Sequence, residues 1–213
     1  LQRAYPENEY EIKVIHTIGD KIQHIALDKI NDKGVFVKEI EKELLEHTID
    51  LAVHSLKDMP SDNPAGLVYA KTLAPSDYRD CLVLKNCSSL ARLPQHATIA
   101  TGSKRRKYQL LKLRPDLKIV DIRGNVNTRL QKMANQEIDG LVLASAGLKR
   151  LGLEDLISEY LDETKMIPAC GQGILAIQVR QDSELLTMIN NISDEITTTR
   201  MELERLFLKT VNG

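Results

Sequence analysis

The sequence predicts an α/β protein of two lobes joined by two crossovers, and three observations lead there. Strand-like and helix-like patterns alternate from Thr98 to Leu151, and Pro/Gly breaks stand at Ala74-Pro75-Ser76-Asp77 and at Ile167-Pro168-Ala169-Cys170-Gly171-Gln172-Gly173. An apolar strand, Ile174 to Val179, then arrives after the second lobe is finished, placed to return to the first sheet.

Taken in order, Tyr10 to Thr17 alternates like a strand. Val35, Phe36, Ile40, Leu44 and Leu45, with charges between them, fit an amphipathic helix. An apolar strand runs from Ile49 to Val53, with Leu51-Ala52-Val53 as a buried stretch. Ser61 to Gly66 is a turn-rich break, Leu67 to Leu73 another strand, and Cys81 to Leu84 opens the second lobe. There the pattern is Thr98 to Thr101, a helix from Lys104, Lys118 to Ile122, a helix from Val126, Gly140 to Ala144, and Leu148 to Leu151, a small domain of parallel character with a cleft between it and the first lobe. Ile192 to Lys209 reads as a final helix. The expected domains are 1–74 with 174–191, then 79–167, then 192–213 as the start of a third.

A chain of 213 residues, 42% hydrophobic and 28% charged, can bury a sizeable core. It has no apolar run long enough to span a bilayer, and Leu1-Gln2-Arg3-Ala4-Tyr5-Pro6 lacks the features of a signal peptide, so no membrane partner is expected and the expected compartment is the cytoplasm. Three cysteines, Cys81, Cys87 and Cys170, are an odd number without metal spacing and read as reduced thiols, Cys170 as a small packing residue. Five histidines without ligand spacing give no metal site, and His54-Ser55 has no supporting triad pattern.

Net charge is -1, yet Lys104 to Arg150 holds 12 Lys and Arg against 4 Asp and Glu. One segment is built to attract anions while the whole stays near neutrality. Within it, Thr101-Gly102-Ser103 leads from a strand into Lys104-Arg105-Arg106-Lys107. Cations at a helix N-terminus oppose the macrodipole, which points to an anion there, with Ser103 as N-cap. Arg123-Gly124-Asn125 repeats the arrangement, with Arg129 further along the helix, and Lys149-Arg150 follows a strand and a short Ser145-Ala146-Gly147 turn. In a parallel sheet the carboxyl ends of strands share one edge, so these arginines converge on one mouth. Planar guanidinium groups suit the carboxylates of a small polyanion. Lys29, Lys33 and Lys38 surround an Asp32-Lys33-Gly34 turn and add cations, Lys38 more as a solvated helix face. Against this basic background stands Asp58, in His54-Ser55-Leu56-Lys57-Asp58-Met59-Pro60, where a strand runs out and Pro60 stops the ladder. By itself an acid there caps a turn or pairs with Lys57.

Lys33-Gly34-Val35-Phe36-Val37-Lys38-Glu39, Asp50 through Pro60, Arg123-Gly124-Asn125-Val126-Asn127-Thr128-Arg129, Ala146-Gly147-Leu148-Lys149-Arg150-Leu151-Gly152 and Gly171-Gln172-Gly173 together resemble the porphobilinogen deaminase (hydroxymethylbilane synthase) family, over essentially the whole chain. The resemblance implies two periplasmic-binding-protein-like lobes plus the start of a third α+β domain, and a monomeric transferase of tetrapyrrole, porphyrin and heme biosynthesis. Four porphobilinogen units are joined head to tail with loss of ammonia, on a dipyrromethane primer held covalently by a cysteine, and hydroxymethylbilane is released. The partners implied are porphobilinogen and the growing linear polypyrrole. Asp58 matches the family's catalytic aspartate, a carboxylate that stabilises the cationic azafulvene formed when ammonia leaves. Arg105, Arg106, Arg123, Arg129 and Arg150 match the arginines that hold acetate and propionate groups, Thr101, Ser103, Ser55, Lys57 and Lys33 match polar contacts around them, and Lys29 is counted with the binding residues as an added cation.

The chain departs from the family pattern at Asn31-Asp32, where paired glycines are usual, and at Gly102 and Lys104, within a run that is usually Thr-Ser-Ser-Leu. None of Cys81, Cys87 or Cys170 stands where the primer cysteine belongs, which is expected just after Gly213. The chain as given is therefore expected to be an inactive fragment. An alternative reading is a two-lobed binding module for small polyanions without catalysis, for which a carboxylate at position 58 gains nothing. Nucleic-acid binding by the basic segment has little support, because Tyr108 is the one aromatic there.

Overall fold

The computed structural model describes residues 1–17 and 37–211. Lys29, Lys33, Val35, Phe36 and the Asn31-Asp32 departure lie outside the described residues. In chain order the elements are α1 (Lys38–Leu45), β1 (Leu51–Ser55), β2 (Leu67–Tyr69), β3 (Asp80–Leu84), β4 (Thr98–Ala100), α2 (Lys104–Leu113), β5 (Lys118–Val120) and α3 (Val126–Asn135). There follow β6 (Gly140–Ala144), α4 (Ser145–Arg150), β7 (Glu159–Tyr160), β8 (Leu175–Arg180), α5 (Leu185–Asn191) and α6 (Glu195–Thr210). The described chain forms two compact units, one of residues 1–17, 37–75 and 174–211, the other Ser76–Gly173.

In the first unit β8, arriving last, is the central strand of a sheet ordered β1-β8-β2 and runs antiparallel to both neighbours. A strand covered on both faces reads as an apolar run, and Leu175-Ala176-Ile177 and Val179 have that character, interrupted by the buried Gln178. Ala176 packs with Leu56, Met59, Ile174 and Met201, while Ile177 and Val179 pack with Ala70 and Ile189 on the other face. Among the described residues β1 is an edge strand instead. Ala52 and His54 are buried while Val53 is 57% exposed, so the stretch expected as buried is half-buried. Leu67 to Leu73 forms a ladder over Leu67–Tyr69 alone.

Tyr10 to Thr17 differs from expectation. It alternates like a strand but joins no ladder among the described residues, and Ile12 and Val14 are 89% and 73% exposed. Alternation creates a face to bury, whereas a strand also needs a neighbour for its backbone N–H and C=O groups. The final helix α6 is capped by Asp194, whose carboxylate accepts from Thr197 N at 2.7 Å. It belongs to the first unit, joined to its core by buried Met201 and by Thr198, whose hydroxyl accepts from Thr72 N at 3.1 Å.

The second unit holds a sheet ordered β5-β4-β6-β3-β7. β5, β4 and β6 are parallel, but β3 runs antiparallel to β6 and to β7. The expected parallel character therefore holds for three strands. β3 is where the chain enters the unit, with no preceding βαβ crossover to set it parallel. Successive residues of each strand alternate between two cores. Leu82, Leu84, Ile99 and Val142 pack with Leu110 of α2, while Cys81, Val83, Leu141 and Leu143 pack with Met133 of α3 and Leu148 of α4. Each leucine so buried contributes roughly 2 kcal/mol from water exclusion. The incoming and outgoing segments lie against each other, Ser76 N donating to Gly173 O at 2.8 Å.

Candidate functional site

The three parallel strands bring their carboxyl ends to one edge of the second unit, and each is followed by an arginine-bearing segment. After β4, Thr101 Oγ1 accepts from Ser103 N at 3.2 Å, and Ser103 caps α2, its hydroxyl accepting from Arg106 N at 3.4 Å. The cap aims Lys104, Arg105, Arg106 and Lys107 into the first turn, where the helix dipole repels them.

Asp80 offsets that repulsion from beneath. Its side chain is fully buried, and its carboxylate accepts from Arg106 Nε at 3.0 Å, Arg106 Nη2 at 2.8 Å, Gln172 Nε2 at 2.9 Å and Arg105 Nη1 at 2.7 Å. Burial pushes the Asp80 carboxyl up, but the Arg106 and Arg105 guanidiniums and the Gln172 amide outweigh it and hold the group below its ordinary range. Arg106 also donates through Nη1 to Val142 O at 3.2 Å, and its side chain is 7% exposed. The two arginines expected to act alike thus differ. Arg106 is directed inward by the counterion, while Arg105 donates through Nη1 to Asp80 and to Ile167 O at 2.5 Å and its side chain stays 25% exposed.

After β5, Gly124 turns the chain at φ +112°, a conformation open to glycine, and a Cβ there would stand 2.6 Å from Thr128 Cγ2. Asn125 caps α3, accepting from Thr128 N and Thr128 Oγ1, each at 2.9 Å. Arg129 Nε donates to Gly124 O at 2.7 Å and Lys132 Nζ to Arg123 O at 2.9 Å, so the turn is held from the helix it starts. Arg123 Nη1 is buried with no hydrogen-bond partner among the described residues. A buried donor in that state is short of an acceptor.

After β6, Ser145 to Gly147 form the first turn of α4 rather than a separate loop, with Ser145 N and Oγ donating to Arg79 O at 3.0 and 2.9 Å. Lys149 lies 3.3 Å from Asp77 Oδ2 and 3.2 Å from Glu154 Oε1, so it is engaged with acids, whereas Arg150 is exposed. Arg79 clasps Asp77 and stacks 4.3 Å from the Tyr160 ring centroid, and it is chiefly Arg79 that brings the Asp77 carboxyl down to about 2.

In the first unit β1 ends at Ser55, and Leu56–Asp58 makes one tight helical turn. Leu56 is buried, its N–H donating to Ile174 O at 3.1 Å. Ser55 and Lys57 are half-buried, and Asp58 is exposed with no hydrogen bond or ion pair among the described residues. The local alternative of an Asp58–Lys57 pair is not formed. Lys38 is exposed on α1. Cys81 is fully buried, its thiol pushed up to about 11 chiefly by burial, and Cys87 and Cys170 are half-buried.

Sequence reasoning missed Asp80, Gln172 as its partner, and Asp77. The adjacent arginines at a helix start were the available signal, since such a pair calls for a counterion. Among the described residues no cluster of His, Cys, Asp or Glu fits a metal ion, and no helix is long and apolar enough to cross a membrane.

Residues 1–188 match the family model for the dipyrromethane cofactor binding domain of porphobilinogen deaminase. The donor set suits that polycarboxylate group, since cationic side chains share one sheet edge and the buried Arg123 Nη1 has an acceptor to gain. The porphobilinogen deaminase of Clostridioides difficile is 52% identical over 215 aligned residues, covering 100% of this chain and 71% of that protein. That of Clostridium novyi is 50% identical over 218, covering 100% and 73%, and that of Syntrophomonas wolfei 50% over 214, covering 100% and 70%. Among solved structures, a putative methionine-binding lipoprotein from Bacillus subtilis is 17% identical over 75% of this chain and 76% of its own, with a TM-score of 0.48. A family model over most of its residues and relatives of this identity over its whole length decide the matter: the chain belongs to the porphobilinogen deaminase family.

Proposed function

We propose that the arginine-bearing edge of the second unit holds the acetate and propionate groups of dipyrromethane, substrate and growing polypyrrole, and that Asp58 is the catalytic carboxylate. Membership of the family makes the chain a transferase of tetrapyrrole, porphyrin and heme biosynthesis. The finer reading is stepwise joining of four porphobilinogen units to hydroxymethylbilane by a cytoplasmic monomer. Domain 1 would be 1–74 with 174–191, domain 2 79–167, and 192–213 would open a third.

The observation that carries the reading is Arg123, whose Nη1 is buried at the shared strand edge and has no hydrogen-bond partner among the described residues. A ligand carboxylate supplies the missing acceptor. Arg105 offers an open guanidinium edge, Arg129 and Arg150 add charge at the neighbouring segments, and Arg106 contributes charge from within. Thr101, Ser103, Ser55 and Lys57 supply polar contacts, and Lys29 and Lys33 belong to the same set. Dipyrromethane, when bound, supplies the pyrrole to which new units are joined. Asp58, exposed and without a hydrogen bond or ion pair among the described residues, can stabilise positive charge on a pyrrole as ammonia departs and can hold its proton.

We further propose that none of the three cysteines among these 213 residues holds the primer covalently. Cys81 is inaccessible, with its thiol pushed up, and Cys87 and Cys170 do not stand at the family's attachment position. Intact mass and porphobilinogen consumption test this: the chain should show neither a dipyrromethane mass excess nor turnover, and either one defeats the reading. Asp58 is tested in a hybrid where this chain replaces the matching part of the Clostridioides difficile relative. Porphobilinogen consumption should appear in the hybrid and fall at least ~100-fold in its Asp58→Asn variant, and normal turnover in that variant would remove Asp58 from the mechanism.

A further inference from the structure

Arg105 and Arg106 are neighbours on α2, yet the fully buried Asp80 treats them differently. Arg106 gives Nε and Nη2 to Asp80 Oδ1 and Nη1 to Val142 O, so every nitrogen of its guanidinium is engaged inside the unit. Arg105 gives Nη1 to Asp80 Oδ2 at 2.7 Å and to Ile167 O at 2.5 Å. The Ile167 carbonyl is itself fixed, because Gln109 brackets that peptide: Gln109 Nε2 donates to Ile167 O at 3.0 Å and Ile167 N donates to Gln109 Oε1 at 2.8 Å. Two acceptors on one nitrogen set the plane of the Arg105 guanidinium, whose Nε and Nη2 face away from both. That remaining edge is the pair of parallel donors that a carboxylate accepts bidentately.

We infer that Asp80, together with the Ile167 carbonyl steadied by Gln109, is a positioning device that aims the free edge of Arg105 at a ligand carboxylate. The inference rests on reading the strand edge as a polycarboxylate site. A preset guanidinium has little freedom left to lose on binding, whereas a loose one must be ordered by the ligand. The charge balance makes the idea testable by sign. Asp80, Arg105 and Arg106 sum to one positive charge, and neutralising Asp80 leaves two. A purely structural Asp80 would leave anion affinity unchanged, or raise it through the added charge, while a positioning Asp80 lowers affinity when removed.

The experiment titrates the complete chain with a synthetic dipyrromethane bearing acetate and propionate groups, by calorimetry. Asp80→Asn should weaken binding about tenfold, Arg105→Gln by a similar factor, and the double variant little further, because both act through one contact. Gln109→Leu, on the half-buried face of α2, should weaken binding by roughly threefold with the fold intact, and it decides the question if Asp80→Asn does not fold. Affinity that survives Asp80→Asn, or Gln109→Leu where that variant decides, overturns the positioning role alone, as does full additivity of Asp80→Asn with Arg105→Gln. Absence of binding by the parent chain overturns the reading of the edge and the inference with it.

Discussion

His54 Nε2 lies 3.2 Å from Gln178 Oε1, a diagonal contact between β1 and β8, where His54 stands opposite Ala176 in the ladder. Gln178 is fully buried and donates its amide N–H to Glu41 Oε1 at 3.1 Å, which leaves its oxygen as the acceptor and places the proton on His54 Nε2. Burial holds the His54 imidazole below its ordinary range, with the Gln178 contact opposing in part. Above the ordinary histidine value of about 6.5 both folded and unfolded states are neutral there; below it the unfolded chain takes up a proton that the folded state resists. Stability contributed at this site is therefore complete above that value and falls as pH drops toward the lower folded value. Urea midpoints measured from pH 8 to 5 should decline through the lower half of that range, and His54→Gln should flatten the decline. An unchanged slope in the variant would place the pH response elsewhere.

The same contact shows where the sequence stops being legible. Ser103 and Asn125 announce helices that begin at Lys104 and Val126 because a cap and its target are three residues apart. β6 spans Gly140–Ala144 as its apolar run indicates. His54 and Gln178 are 124 residues apart, and Asp80 and Arg106 26, so neither pairing leaves a local pattern. Strand direction is likewise set by connection and partner, which is why β3 departs from the parallel expectation although Cys81 to Leu84 read as an apolar run. In the candidate site, arginine-bearing strand ends could be read from spacing, but which arginine faces inward depended on an acid from another strand.

Gly173 supports the close approach of the two segments that link the units in sequence. Its φ is +86°, and an added Cβ would stand 2.5 Å from Ser76 O and 3.1 Å from Tyr78 Cα, both backbone atoms with no freedom to swing aside. Gly173→Ala should therefore cost about 2 kcal/mol or more, combining left-handed strain with a backbone clash. Chemical denaturation would show it, and a midpoint equal to that of the parent chain would contradict the packing described.

Asn125 makes a milder prediction at the same edge as the arginines. Its side chain satisfies Thr128 N and Thr128 Oγ1 at the start of α3. Asn125→Ala should cost about 1 kcal/mol of stability, and Asn125→Asp, which keeps the acceptor, appreciably less. Equal losses in the two variants by urea denaturation would mean that the cap contributes little.

Arg123 sets stability against binding. With Nη1 buried and without a partner among the described residues, the guanidinium carries a desolvation cost in the ligand-free protein of about 1–3 kcal/mol for such a group. Arg123→Met keeps much of the aliphatic stem and removes the orphaned donor, so the variant should be at least as stable as the parent, with a gain of about 1 kcal/mol as the central expectation. Its affinity for a dipyrromethane polycarboxylate should nevertheless fall about tenfold through loss of a charge-assisted contact. The opposed signs separate a ligand-directed arginine from one that merely braces the turn. A bracing residue would lose stability on substitution and leave affinity unchanged, so a urea midpoint and a binding titration on the same variant decide between the two.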